Sequence, residues 1–214
     1  MEGVRRFADR TDAGAQLAEE IRDRGIDADI ALAIPRGGLP LGRAVADALD
    51  VPLDIVVAKK IGAPGNPEYA IGAVASDGSV WRNEAALRGV GVDSEYFEEK
   101  REEEAANARQ KADRYRGDRP KPDLSDKTVV VVDDGVATGS TARACLRCLN
   151  ETDAERIVLA IPVGPPSTVG ELADETDEVV CLETPSNFRG VGQFYEDFAQ
   201  VPDEKAMEYL TTDA

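Results

Sequence analysis

One stretch constrains the architecture more than any other: Thr128-Val129-Val130-Val131-Val132-Asp133-Asp134-Gly135-Val136-Ala137-Thr138-Gly139-Ser140-Thr141. Four consecutive valines suit a strand covered on both faces, and open parallel sheets hold their ligands beyond the carboxyl ends of such strands. Here that end carries two carboxylates and a turn relieved of backbone strain by Gly135 and Gly139. Thr138, Ser140 and Thr141 offer hydroxyls and amides, and the apolar run from Ala142 to Leu149 reads as a helix whose N-terminus attracts an anion. Anion donors beside carboxylates that can take hydroxyls or a metal suit a phosphorylated sugar. The competing reading is a plain strand-to-helix turn with a Ser or Thr N-cap and two solvated aspartates.

Spacing removes several classes. A Walker A loop needs four residues between its glycines and then Gly-Lys-Ser/Thr, whereas three residues separate Gly135 from Gly139 and no Lys follows. Gly135-Val136-Ala137 breaks the dinucleotide fingerprint. An aspartyl-phosphate phosphatase would place its second Asp where Gly135 stands. A receiver domain would need most of its sheet after the acidic pair, and only 73 residues follow Thr141.

Residues 128–141 resemble the phosphoribosyl pyrophosphate (PRPP) loop of type I phosphoribosyltransferases: a hydrophobic strand, an acidic pair, then small residues ending in Thr-Gly-x-Thr. The resemblance implies that Asp133 and Asp134 hold the ribose hydroxyls and take Mg²⁺ directly or through water. It implies that Ala137, Thr138, Gly139, Ser140 and Thr141 bind the 5′-phosphate. A second anion loop should then follow an earlier strand. Asp29 to Ile34 reads as that strand, Pro35-Arg36-Gly37-Gly38 as a tight turn and Leu39 to Leu49 as a helix. Gly37 and Gly38 let amides approach an anion and Arg36 adds a charged donor, so this turn resembles the family's pyrophosphate loop.

The next strand, Leu53 to Ala58, leads into Lys59-Lys60 and a stretch from Ile61 to Tyr69 too rich in Gly and Pro to expect regular structure. It reads as a mobile lid or as a surface hairpin loop. In the resembled family a flexible loop at this place closes over the site and excludes water from an oxocarbenium-like transition state. The implied catalytic set is Asp133, Asp134, Lys59, Lys60 and Arg36.

Elsewhere, Asp12 is expected to cap a helix reaching Arg24, and Tyr69 to Ala75 with Ser79 to Arg82 to form a hairpin across Asp77-Gly78. Asn83 to Arg88 reads as a short helix. Residues 93–116 read as a charged helical insertion, a long and mostly exposed helix closed by Pro120 and Pro122, with a dimerisation arm as the functional alternative. Strands are expected at Glu155 to Ile161 and Glu178 to Leu182, with a helix at Ser167 to Ala173 between them. Residues 184–214 form a C-terminal hood or tail. Phe188, Phe194, Tyr195 and Phe198 fall within eleven residues of it, and Phe188, Phe194 and Tyr195 are candidate walls of a base pocket. The alternative is a tail packed on the core. The fold expected is a single α/β domain over 1–214: an open, mostly parallel twisted sheet flanked by helices, with a small hood from the terminal regions.

Composition narrows the setting. A chain of 214 residues with 42% hydrophobic content can bury one good core. It has no long apolar run and no signal-like start, so a soluble cytoplasmic protein with no membrane partner is expected. The absence of His excludes a Ser-His-Asp hydrolase, a Cys-His protease and a His-bound zinc site. Cys145, Cys148 and Cys181 read as structural thiols rather than a redox pair. A net charge of −17, with 18 Arg against 7 Lys, gives no support for nucleic-acid binding. Such an acidic chain looks adapted to a salt-saturated cytoplasm, where self-repulsion is screened. Its melting temperature is therefore expected to rise between low and multimolar KCl, and a flat salt series would contradict this.

The resemblance implies transfer of a 5-phosphoribosyl group from PRPP to a nitrogenous base, with release of pyrophosphate, in salvage-type nucleotide metabolism and commonly as a homodimer. It points to the group of predicted phosphoribosyltransferases whose base is unassigned. Ala137 stands where hypoxanthine-guanine enzymes commonly carry Asp, and Glu155 to Pro166 contains no Lys, which disfavours a 6-oxopurine. The alternative is a non-catalytic PRPP-sensing regulator.

Overall fold

The computed structural model describes residues 6–211 of the chain. Five parallel strands form the central sheet: β1 (Ile30–Ala33), β2 (Leu53–Ile55), β6 (Thr128–Val132), β7 (Arg156–Val163) and β8 (Glu178–Glu183), in the order β2-β1-β6-β7-β8. Val129 to Val132 are 0% exposed, because β6 lies mid-sheet and both of its faces are covered. Alternation sends Val129 and Val131 towards α5 (Ser140–Leu149), and Val130 and Val132 towards α1 (Arg10–Asp23) and α2 (Gly38–Leu49). The expected parallel α/β layering is what the chain adopts.

A second, antiparallel sheet comes from mid-chain: β3 (Ala58–Ala63), β4 (Asn66–Ala75) and β5 (Val80–Arg82), in that order. The strand expected over 53–58 is therefore two. After Val56 N–H donates to Ala33 O at 3.1 Å, β1 has run out into its turn and offers no further ladder, so the chain leaves the sheet. The stretch expected to be irregular is a β-hairpin, with Lys59 and Lys60 in β3 and the tip at Pro64-Gly65. Gly65 there has φ +72°, which glycine adopts without strain. The hairpin across Asp77-Gly78 forms as expected.

The first helix is capped by Asp9, whose side chain accepts from Asp12 N–H. Asp12 instead reaches back past the cap and accepts from Ala8 N–H at 2.9 Å, a variant of the capping box. The short helix expected near 83–88 is α3 (Glu84–Val90), capped by Asn83. The charged helix is α4 (Ser94–Arg116), and it is not merely a solvated rod. Phe97, Ala105, Ala108, Ala112 and Tyr115 are buried against β3, β4 and β2. At its end Arg116 and Asp54, each 7% exposed in the side chain, pair at 2.9 Å and fix α4 to β2.

The helix α6 (Pro166–Ala173) precedes β8, and α7 (Asp203–Thr211) docks on α2 and α4. The two terminal segments are sewn together: Phe7 N–H donates to Phe194 O, and Glu196 N–H to Phe7 O, both at 2.8 Å. Among the described residues no helix is long and apolar enough to cross a membrane.

Candidate active site

The acidic pair leaves the end of β6 at the centre of the sheet. Asp134 N–H donates to Asp133 Oδ1 at 2.9 Å, so the two carboxylates start from one tight backbone turn. Burial raises the pKa of Asp133 well above the usual carboxylate range, and the adjacent charge of Asp134 pushes the same way. Burial also raises Asp134, but there a guanidinium opposes it. Arg10, at the start of α1, places Nε and Nη2 each 2.9 Å from Asp134 Oδ2. Arg10 itself is held by Ala199 O at 2.8 Å and lies over the Phe198 ring at 3.9 Å. Tyr195 OH donates to Asp134 O at 2.7 Å. Thus both chain ends converge on the acidic pair, and Arg10 had no local signal to announce it.

Beyond the pair, Gly135 takes φ +139° and Gly139 φ +70° before α5 begins. Ala137, Thr138, Ser140 and Thr141 are exposed, ringing the N-terminus of α5, while Gly139 is buried against Thr168. Thr168 Oγ1 donates to Ala137 O at 2.9 Å, so α6 pins the turn from behind. The turn can thus present hydroxyls and helix-terminal amides to an anion from the solvent side.

The Pro35-Arg36-Gly37-Gly38 turn lies directly against the acidic pair. A Cβ on Gly37 would fall 2.1 Å from Asp134 Oδ2, and one on Gly38 2.5 Å from Val132 O. Only glycine permits this approach. Gly37→Ala is expected to force the two loops apart, costing about 1–3 kcal/mol of stability in urea titrations and weakening binding of a ligand that spans both. An unchanged midpoint with unchanged PRPP affinity would contradict the contact. Arg36 is half-buried, with Nη1 3.3 Å from Asp203 Oδ1 at the start of α7. Asp203 also accepts from Tyr115 OH at 2.6 Å and pairs with Arg114 at 2.5 Å.

Strand pleating separates the two lysines of β3. Lys60 lines a cavity of ≈ 260 Å³ together with Trp81, Thr138, Ser140 and Arg143, next to the exposed turn. Lys59 is close enough to Lys111 of α4 for their like charges to oppose each other.

The aromatic tail differs from the expected base pocket. Phe194 and Tyr195 are 2% and 3% exposed and belong to the core formed with Phe7, Leu17 and Ile21. Phe188 stacks on Phe194 at 5.6 Å, and Tyr195 meets Phe7 at 5.4 Å and Phe198 at 4.9 Å. Phe194 and Tyr195 are packed into the core, although the edge of Phe194 still reaches an open cleft lined by Pro185, Asn187 and Gln193.

Among the described residues no three Cys, Asp or Glu side chains gather as a metal cage. Two adjacent carboxylates, one engaged by Arg10, instead suit a Mg²⁺ that takes most of its ligands from substrate phosphates and water.

A parallel sheet whose central strand ends in a half-buried acidic pair, with an exposed turn on a helix N-terminus and a glycine loop in contact with that pair, is the arrangement that the resemblance to the phosphoribosyltransferases implied. Residues 6–199 match the phosphoribosyl transferase domain family, and the chain belongs to it. It is 39% identical over 204 residues, 95% of its length, to the Mycobacterium tuberculosis H37Rv protein named Putative phosphoribosyl transferase Rv0571c. The chain spans 46% of that relative's length, and the counterpart in a second strain of the organism matches equally. The crystal structure of TT1426 from Thermus thermophilus superposes with a TM-score of 0.88 at 42% identity, covering 96% of this chain and 97% of that one.

Proposed function

We propose that the protein transfers the 5-phosphoribosyl group of PRPP to a nitrogenous base and releases pyrophosphate. The observation that carries this reading is the contact between the glycine loop and the acidic pair, because it places an anion site and a hydroxyl-binding site on one shared wall. PRPP presents just that combination, a diphosphate and ribose hydroxyls on neighbouring carbons.

In this reading Thr138 to Thr141 and the N-terminus of α5 hold the 5′-phosphate. Asp133 and Asp134 hold the ribose hydroxyls and favour the positive charge that develops near C1. Arg36 and the Gly37 amide take the diphosphate, since Gly38 N–H already donates to Ile34 O at 3.1 Å. Lys59, on the same side as Lys111, offsets charge on the departing group, while Lys60 faces the 5′-phosphate turn. The bond from C1 to the diphosphate oxygen breaks with its electron pair leaving on pyrophosphate. A ring-nitrogen lone pair of the base forms the new bond to C1, and the proton of that nitrogen is lost. Asp133 and Asp134 would hold Mg²⁺ directly or through water, and the ion would supply neutralisation of leaving-group charge. The β3–β4 hairpin, which shares a cavity with Thr138 and Ser140 of the turn, serves to keep water from C1.

The test is pyrophosphate release from PRPP and Mg²⁺ across a panel of nucleobases in multimolar KCl, with Asp134→Asn as control. Release with one base, lost in the control, supports transfer. Consumption of PRPP without any base would mark a hydrolase, and tight binding without turnover a PRPP sensor.

A further inference from the structure

The cleft beside the Pro35-Arg36-Gly37-Gly38 loop has a wall supplied by the charged helix α4. Asn107, Gln110, Lys111 and Arg114 recur at helical spacing on α4 and line one side of an open cleft of ≈ 810 Å³, with Pro35, Arg36, Tyr115 and Asp203 opposite and beneath. The adjacent stripe of the same helix, Ala105, Ala108, Ala112 and Tyr115, is buried in the core, so α4 is fixed in rotation and the cleft-facing stripe is presented rigidly.

Within that stripe Lys111 stands apart. Its stem is half-buried, and Nζ donates to Pro35 O at 2.9 Å, on the residue that opens the glycine loop. Among the described residues its ammonium has no carboxylate partner at ion-pair distance. Burial is the largest influence lowering its pKa, and around it stand Lys59 from β3, Cys145 from α5, Asp133 from the end of β6 and Arg36 from the loop. One proton of the ammonium is directed at Pro35 O, which leaves two donors. Three cations from three separate elements thus gather around one backbone loop; Asp203 answers Arg36 at 3.3 Å, while the like charges of Lys59 and Lys111 still oppose each other, an opposition that an arriving anion relieves.

We infer that Lys111 of α4 is a direct ligand of the diphosphate moiety, joining Arg36 and the Gly37 amide, and that α4 is a wall of the diphosphate site. This rests on the transferase reading of the site and adds to it a residue from the charged helix. The bond to Pro35 O gives Lys111 a second role in holding the loop against α4.

The probes are Mg²⁺-pyrophosphate, PRPP and ribose 5-phosphate, titrated calorimetrically into the full chain in multimolar KCl. Lys111→Met should weaken pyrophosphate and PRPP by roughly tenfold or more, the scale of one charge-assisted contact. Its affinity for ribose 5-phosphate, which engages only the turn at 137–141 and the acidic pair, should stay within about twofold by the same accounting. Lys111→Arg should retain most of the pyrophosphate affinity, since it keeps charge and donors, whereas Lys111→Gln should resemble the Met variant. Pyrophosphate binding as tight in Lys111→Met as in wild type would overturn the inference. So would equal losses for pyrophosphate and ribose 5-phosphate, which would mark a purely structural residue. A wild-type protein that binds neither PRPP nor pyrophosphate would instead overturn the transferase reading itself.

Discussion

Replacing Asp133 by Asn is expected to slow phosphoribosyl transfer by roughly 10²–10³-fold while raising the melting temperature by about 2–4 °C. The first effect follows, on the proposed reaction, from loss of a carboxylate that would stand where positive charge develops. The second follows from the same burial. Asp133 sits at the end of the central strand with its pKa raised well above the ordinary range by desolvation and by Asp134. A group bound more tightly to its proton in the folded chain contributes stability that is complete below its unfolded pKa of about 3.9 and is lost as pH rises through the folded value. The neutral amide escapes that loss. Melting curves of wild type and variant should therefore converge near pH 4 and separate as the pH is raised. Curves that stay parallel across that range would show that Asp133 is not the group responsible.

Arg10→Met should have the largest effect on stability, a loss of about 3 kcal/mol, or roughly 6–12 °C of melting temperature. The substitution leaves a mostly buried Asp134 without its counter-charge, since the Arg10 and Asp134 side chains are only 11% and 17% exposed. It also removes the cation from the face of Phe198. Without Arg10 the Asp134 carboxyl rises further above its unfolded pKa, so the deficit should be least near pH 4 and grow towards neutrality. Adding Asp134→Asn to Arg10→Met should recover most of the stability, because the charge that lacked a partner is gone. Urea denaturation of the two single variants and the double variant measures this directly, and simple additivity would show that the pair is not coupled.

What could be read from the chain depended on how local the signal was. The segment from Val129 to Thr141 carries strand, carboxylates, turn glycines and helix start in consecutive residues, and the structure places them accordingly. Arg10 was invisible because its partner lies 124 residues away and nothing distinguishes it from the other arginines. The buried stripe of α4 was hidden for a different reason. It consists mainly of alanines, which fit an exposed helix and a tightly packed one equally well. The helix α7 did leave a signal, Pro202 before Asp203-Glu204 and Ala206 four residues from Leu210, weak because the stretch is short. The aromatics of 188–198 were legible as a cluster but not as core or pocket, since composition is the same for both. Burial against Phe7 settled that point for Phe194 and Tyr195.

The two cysteines of α5 give the molecule a built-in clock. Cys145 and Cys148 are fully buried and their thiols are pushed up to about 12 by desolvation, so a thiolate-seeking reagent meets neither while α5 rests on the sheet. Cys181, half-buried at the edge, should react first and can be blocked beforehand. Alkylation of the other two then proceeds only as fast as α5 lifts away, and α5 is the helix whose first residues form the exposed turn. A ligand seated on that turn at about 100 times its dissociation constant should slow labelling about 100-fold. Each nucleobase, phosphate or sugar could thus be ranked by how long it keeps two sulfur atoms silent, with no turnover required.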